Sequence, residues 1–76
     1  MNNTQQTPDF AALTARARTM TFDALEWSAN DAWEAAQAAE ELEAAGYAVA
    51  KTGGYYRDEA SVYRTELIRR GSEAVR

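Results

Sequence analysis

The sequence predicts an all-α protein: an antiparallel helical hairpin with a shorter N-terminal helix packed across it. Three observations support this fold class. Residues 22–45 contain neither glycine nor proline. Alanine and leucine, the strongest apolar helix formers, make up much of that stretch. Its apolar residues recur at alternating spacings of three and four, which is the period of a helix that packs against another helix.

A short first helix is expected after a polar N-terminal segment. Residues 1–6 are polar, and we expect a disordered tail there. Thr7 and Pro8 are typical of a helix start, with Thr7 as the N-cap and Pro8 at the first helical position. The β-branched residues on either side of Met20 predict a break after this helix. Its apolar stripe consists of Phe10, Leu13, Ala17 and Met20.

The second helix is long, alanine-rich and acidic, and the sequence predicts it over residues 22–45. Small residues dominate its apolar seam, so another helix backbone can approach closely. Gly46 is expected to end the helix in the left-handed conformation. Trp33 lies near the seam and is expected to belong to the core. The seam consists of Phe22, Leu25, Ala29, Ala32, Ala36 and Ala39.

Residues 47–54 are expected to form a structured loop, with a short β-hairpin that pairs 47–51 with 54–57 as the alternative. The last helix is expected to begin near 55–57 and to end at Gly71. Glu66 can pair with Arg70, four residues later on the same helix. The sequence therefore predicts one helical domain over 7–71, with tails over 1–6 and 72–76. The buried stripe of the last helix consists of Tyr56, Ala60, Tyr63 and Leu67.

Composition excludes several classes of function. The 76 residues include no cysteine and no histidine, so disulfides, thiolate metal sites and the commonest general base are absent. We therefore expect no catalytic residues, no metal and no cofactor, and hence no enzyme. The N-terminus lacks the basic and apolar regions of a secretory signal, and no apolar run is long enough to span a membrane. These features predict a cytoplasmic protein.

Charge is distributed unevenly along the chain. The formal net charge is −4, yet residues 23–45 carry seven acids and no base. The helical period places Trp27, Asp31, Glu34 and Glu41 on one face, away from the seam. We expect this face to bind a protein with a basic surface, whereas the net charge argues against direct nucleic-acid binding. A solvated face neutralised in part by arginines of the last helix is the alternative, and Trp27 could instead pack under the first helix.

A second candidate site lies in the connection before the last helix. Two glycines before a helix N-terminus can form an anion-binding nest, flanked by two basic side chains. This interpretation predicts an oligomeric protein that sequesters a nucleotide-type ligand. A plain loop between two helices is the alternative, and a third hypothesis is a structural adaptor that pairs with a partner helix. A homodimer is expected because neither a disulfide nor a metal site is available to stabilise so small a core. The candidate residues are Lys51, Gly53, Gly54, Tyr55 and Arg57.

The segment 54–70, GYYRDEASVYRTELIRR, resembles the C-terminal helix of a group of small phage and prophage proteins. In that group it follows an Ala/Glu-rich helix with an early tryptophan, to which residues 27–43 are similar. The resemblance covers about 22–70; the connection over 47–53 is longer here, and residues 7–20 have no clear counterpart. It implies an accessory protein of viral origin in the host cytoplasm. By analogy with anti-CRISPR proteins, it implies an inhibitor that binds a host defence complex.

Overall fold

The computed structural model describes residues 4–74 and contains three helices in that part of the chain. These are α1 (Phe10–Thr19), α2 (Phe22–Ala44) and α3 (Gly53–Ala74). α2 and α3 form a hairpin, and α1 packs mainly against α3. No described residue belongs to a β-strand, although Gln5 and Lys51 form one isolated bridge. The predicted all-α architecture is confirmed.

The first helix begins two residues later than predicted, and the N-cap prediction for Thr7 is wrong. The carboxylate of Asp9 accepts a hydrogen bond from the backbone N–H of Ala12 at 3.1 Å and caps α1. Pro8 therefore lies before the helix, where it is buried. Thr7 and Asp9 both have capping side chains, and aspartate is the stronger N-cap of the two.

The break between α1 and α2 is confirmed. α1 ends at Thr19, and Met20 has an extended backbone conformation. The hydroxyl of Thr21 accepts a hydrogen bond from the N–H of Ala24 at 3.1 Å, which makes Thr21 the N-cap of α2. The predicted cap-like residues therefore turn the chain with only two residues between the helices.

The core lies between α2 and the other two helices and is made largely of alanine. Leu25 is the largest side chain that is fully buried. Phe10 and Phe22 were both predicted in apolar stripes but are 47 % and 52 % exposed. Each lies in the first turn of its helix, where the neighbouring helix covers little surface. The buried hydrophobic residues are Leu13, Ala17, Leu25, Ala29, Ala32, Ala36, Ala39, Ala60 and Tyr63.

The third helix is longer at both ends than predicted. It begins at Gly53, because the hydroxyl of Thr52 accepts a hydrogen bond from the N–H of Tyr55 at 3.1 Å. It continues through Gly71 to Ala74, since Gly71 does not adopt the positive φ that would end a helix. Residues 72–74 of the predicted tail are therefore helical, and 75–76 lie outside the described residues.

A Schellman motif ends α2, as the glycine at position 46 predicts. Gly46 has a φ of 89°. Its N–H donates to the carbonyl of Glu43 at 3.0 Å, and the N–H of Tyr47 donates to the carbonyl of Leu42 at 2.9 Å. These bonds satisfy carbonyls that the helix end leaves without partners. The chain then continues as a loop, so the alternative β-hairpin is excluded.

The segment 4–6, predicted as part of a disordered tail, contacts this loop instead. The N–H of Gln5 donates to the carbonyl of Ala50, and the N–H of Thr52 donates to the carbonyl of Gln5, both at 2.9 Å. The hydroxyl of Thr4 donates to the carbonyl of Val49 at 2.8 Å. The loop backbone needs partners for these polar groups, and the N-terminal segment supplies them. Residues 1–3 lie outside the described part.

Candidate functional site

One face of α2 points away from α3 and carries four carboxylates around a tryptophan. We call it the acidic face and define it by Asp23, Trp27, Asp31, Glu34 and Glu41, all of which are exposed. At 100° per residue, the five side chains fall within about 80° of one another around the helix axis. The rise per residue makes the face roughly 27 Å long. The predicted partner-binding residues thus lie together, with Asp23 added at the N-terminal end.

The carboxylates of the acidic face have no basic partner within residues 4–74. The acids that form ion pairs in that part of the chain are Glu40 and Glu66, neither of which belongs to the face. Glu41 also lies in the last turn of α2, where the helix dipole already places negative charge. The alternative in which arginines of α3 neutralise the acids of α2 therefore applies to Glu40 alone. The acidic face keeps four uncompensated negative charges.

Trp27 lies in the middle of the acidic face around the helix axis, one turn from the N-terminal end of the face, and is 69 % exposed. The alternative in which it packs under the first helix is wrong, because α1 packs mainly against α3. A tryptophan is among the costliest side chains to leave in water, since its large apolar surface remains hydrated. Within residues 4–74, the exposed part of Trp27 does not contribute to the stability of the fold.

One residue of the second candidate site, Arg57, is already paired with a carboxylate of the protein itself. Arg57 donates two hydrogen bonds to Glu40, at 2.6 Å from Nε to Oε2 and 2.7 Å from Nη2 to Oε1. These bonds hold the pKa of Glu40 below its ordinary value and raise the pKa of Arg57. A Cβ on Gly53 would overlap with the Cγ of Glu40, so this side chain lies directly against the first turn of α3.

This arrangement leaves little room for an external anion at the N-terminus of α3. The Glu40 side chain packs on Gly53 and pairs with Arg57, two of the groups that an anion bound there would contact. The ammonium of Lys51 lies 4.8 Å from the centre of the Tyr55 ring. The sequence did not predict the Glu40 carboxylate of α2 beside Gly53 and Arg57.

Trp33, predicted in the core, lies at its edge and is 38 % exposed. The guanidinium carbons of Arg57 and Arg64 lie 4.5 Å and 5.6 Å from the centre of its ring. On a helical wheel Trp33 is about 80° from the middle of the buried stripe, so it reaches α3 from the side. The spacing of seven between the two arginines places both on the same face of α3 and could have predicted this stacking.

The basic end of α3 holds α1 in place. Arg70 donates to Glu66 at 2.8 Å, which confirms the predicted pair, and Arg69 donates to the same carboxylate at 2.6 Å. These bonds lower the pKa of Glu66 to about 2. Arg70 also donates to the backbone carbonyls of Ala17 and Arg18 at 3.1 Å and 3.2 Å. It thereby caps the C-terminus of α1, a contact across more than fifty residues that the sequence did not predict.

Comparisons with protein-family models, curated proteins and solved structures give no match for this chain. Within the part that the structure describes, no helix is long and apolar enough to cross a membrane. The same residues contain no cluster of three or more acidic, histidine or cysteine side chains that could hold a metal ion. The acidic face is therefore the candidate site that the geometry supports best.

Proposed function

We propose that the protein is a small accessory protein that binds a larger protein through the acidic face and has no catalytic activity. The observation that carries the proposal is the exposed Trp27 on a face of α2 that also carries four unpaired carboxylates. A large aromatic anchor inside a polar rim is the usual composition of a binding hot spot. The absence of histidine and cysteine from the sequence favours binding over catalysis.

The exposed surface of Trp27 is large enough to matter energetically. With about 250 Å² for a tryptophan side chain, the exposed 69 % amounts to roughly 170 Å², or about 4 kcal/mol at 25 cal/mol per Å². Association costs reduce that gain. We therefore expect truncation of Trp27 to weaken binding by about 2–4 kcal/mol, which is roughly 30- to 1000-fold.

The charges of the acidic face indicate the chemistry of the partner. Four carboxylates along one helix attract a positively charged groove and raise the rate of association with it. Such grooves often bind nucleic acid, because lysine and arginine side chains neutralise its phosphates. The protein would then compete with nucleic acid for the groove without binding nucleic acid itself.

A finer proposal rests on the resemblance to phage proteins and not on the geometry. In it, the partner is a host defence complex, and the protein inhibits that complex in the host cytoplasm, as anti-CRISPR proteins do. The acidic face suits such a target, since defence complexes that handle nucleic acid need basic grooves.

The test uses two matched variants on the same helix. Glu41→Lys and Glu43→Lys make the same change of charge two residues apart, but their side chains point about 160° away from each other. Wild type and both variants are immobilised, and each captures protein from a bacterial lysate at 0.05 M and 0.3 M salt. We expect Glu41→Lys and Trp27→Ala to lose a partner that wild type and Glu43→Lys retain, with less partner captured at high salt.

Circular dichroism of each variant serves as the control for folding, because surface substitutions usually change stability by less than about 0.5 kcal/mol. Equal loss of the partner with Glu41→Lys and Glu43→Lys would mean that total charge, and not the acidic face, determines binding. Retention of the partner by Trp27→Ala would remove the tryptophan from the site.

A further inference from the structure

The hairpin has a second uncovered surface, on the side of α2 and α3 that faces away from α1. Val62 and Glu66 of α3 line a cavity together with Ala17 of α1, so they lie on the side of α3 that faces α1. Arg64 projects about 160° away from Val62 around α3 and lies instead beside Trp33 of α2. We call this surface the open side. Its members are Phe22, Glu26, Trp33, Arg64 and Ile68.

Three of the five residues of the open side have large apolar side chains that are exposed to solvent. Ile68 is 68 % exposed and Phe22 is 52 % exposed. Phe22 and Trp33 lie within about 20° of each other around α2, since eleven residues make three turns of an α-helix. Exposed apolar groups that lie together on one side of a small domain mark an interaction surface.

Two charges of the open side have no ion-pair partner in the described part of the chain. Glu26 and Arg64 are both exposed, and neither takes part in the ion pairs that residues 4–74 form. Arg64 lies level with Trp33, which is seven residues after Glu26 on α2. Seven residues correspond to about 10 Å along the helix, so the two charges are too far apart to pair within one copy.

Along the hairpin, Ile68 lies about halfway between the two charges, Arg64 and Glu26. α3 runs antiparallel to α2, because Arg57 contacts Glu40 whereas Arg64 contacts Trp33. Ile68 follows Arg64 by four residues, or about 6 Å, and therefore lies midway between the levels of Arg64 and Glu26. A two-fold axis perpendicular to the helices at the level of Ile68 would bring Arg64 of each copy to the level of Glu26 of the other. Arg64 and Glu26 lie on different helices, but the Arg64 side chain already reaches across to Trp33 of α2, so it can approach Glu26 of the second copy.

We propose that two copies of the chain form an antiparallel dimer through the open side, with their Ile68 side chains meeting at the axis. Such an interface is self-complementary, as a two-fold dimer requires. It forms two Arg64–Glu26 pairs between the copies and covers Phe22 and Trp33. The acidic face lies about 120° further around α2, so it stays exposed on both copies and the proposal stands independently of the proposed function.

Charge exchange tests this dimer by sedimentation equilibrium from about 1 μM to 1 mM protein. Glu26→Arg alone and Arg64→Glu alone place like charges opposite each other, and each should weaken the dimer at least about tenfold. An equimolar mixture of the two variants restores both opposite-charge contacts and should form a heterodimer of about wild-type strength. Trp27→Ala, a change on the acidic face, should dimerise like wild type.

Circular dichroism of each variant would check that the helices are retained. The mixture is a second control for loss of folding, because it contains the same two chains. A wild-type protein that stays monomeric to 1 mM would overturn the proposal. So would single variants that dimerise like wild type, or a mixture that stays as weak as its components. Dimers that are lost with Trp27→Ala but not with the charge variants would assign self-association to the acidic face instead.

Discussion

Substitution of Leu25 by alanine probes how the protein is held together. The core consists mostly of alanine, and Leu25 is the largest side chain that is fully buried. Leu25 belongs to one core cluster with Leu13 of α1 and Tyr63 of α3, so its methyl groups lie in the core that the three helices share. Removal of those groups therefore leaves a cavity that no other large side chain can fill.

The expected cost is large compared with the stability of so small a domain. A buried Leu→Ala substitution costs about 2–5 kcal/mol, and full burial places Leu25 in the middle of that range at roughly 3–4 kcal/mol. A chain of 76 residues has a total stability of roughly 4–11 kcal/mol. Its entropy of unfolding is about 160 cal/mol/K, so a loss of 3 kcal/mol lowers the Tm by roughly 20 °C.

Thermal unfolding followed by circular dichroism measures this effect, and two other leucines provide matched controls. Leu67 is partly buried against the core, whereas Leu42 is 46 % exposed. We expect the free energy lost on substitution by alanine to decrease in the order Leu25, Leu67, Leu42. For Leu42 the loss should be about 1 kcal/mol, or roughly 6 °C in Tm.

The order of the three leucines decides the outcome. If Leu25→Ala melts within a few degrees of wild type, the core does not lie where the three helices place it. If Leu42→Ala costs as much as Leu25→Ala, the end of the hairpin contributes as much stability as the centre, and the core is not centred on Leu25.

Two further predictions concern the backbone and pH. Gly71→Ala should raise stability by about 0.5–1 kcal/mol in urea unfolding, because Gly71 lies inside α3 and a Cβ there has open space. Gly46→Ala should instead lower stability by about 1–2 kcal/mol, because the φ of Gly46 is positive. If Gly71→Ala lowered stability and Gly46→Ala raised it, the helix ends described above would be wrong. The pKa of Glu66 is lowered to about 2, so its contribution to stability is complete above about pH 4.5 and is lost as the pH falls to 2. The difference in stability between wild type and Glu66→Gln should therefore shrink over that range, and a constant difference would contradict the buried pair.

The sequence predicted those parts of the fold that depend on local interactions. The extent of α2, its buried stripe and the glycine at its end follow from helix propensity, period and C-cap chemistry. The acidic face could be predicted for the same reason, since the helical period alone determines which residues share a face. Trp27 and Glu34 are exposed because they lie opposite the buried stripe, although the sequence left open whether α1 would cover Trp27.

Features that depend on the relative positions of two helices could not be predicted in this way. Arg70 caps α1 across more than fifty residues, and Glu40 approaches Gly53 only because the hairpin closes in one register. Gly71 continues its helix because no local strain requires a left-handed residue there. Gln5 is ordered by hydrogen bonds to the loop around Ala50, which its polar sequence context did not reveal.

The association and dissociation rates of a captured partner test the proposed binding face most directly. Surface plasmon resonance over a range of salt concentrations would compare wild type with a Glu34→Lys/Glu41→Lys double variant and with Trp27→Ala. We predict that the charge reversals slow association and abolish its dependence on salt, whereas Trp27→Ala mainly speeds dissociation. Wild-type rates for all of these variants, with binding lost instead on Arg57→Ala, would contradict the acidic face and assign binding to the loop before α3.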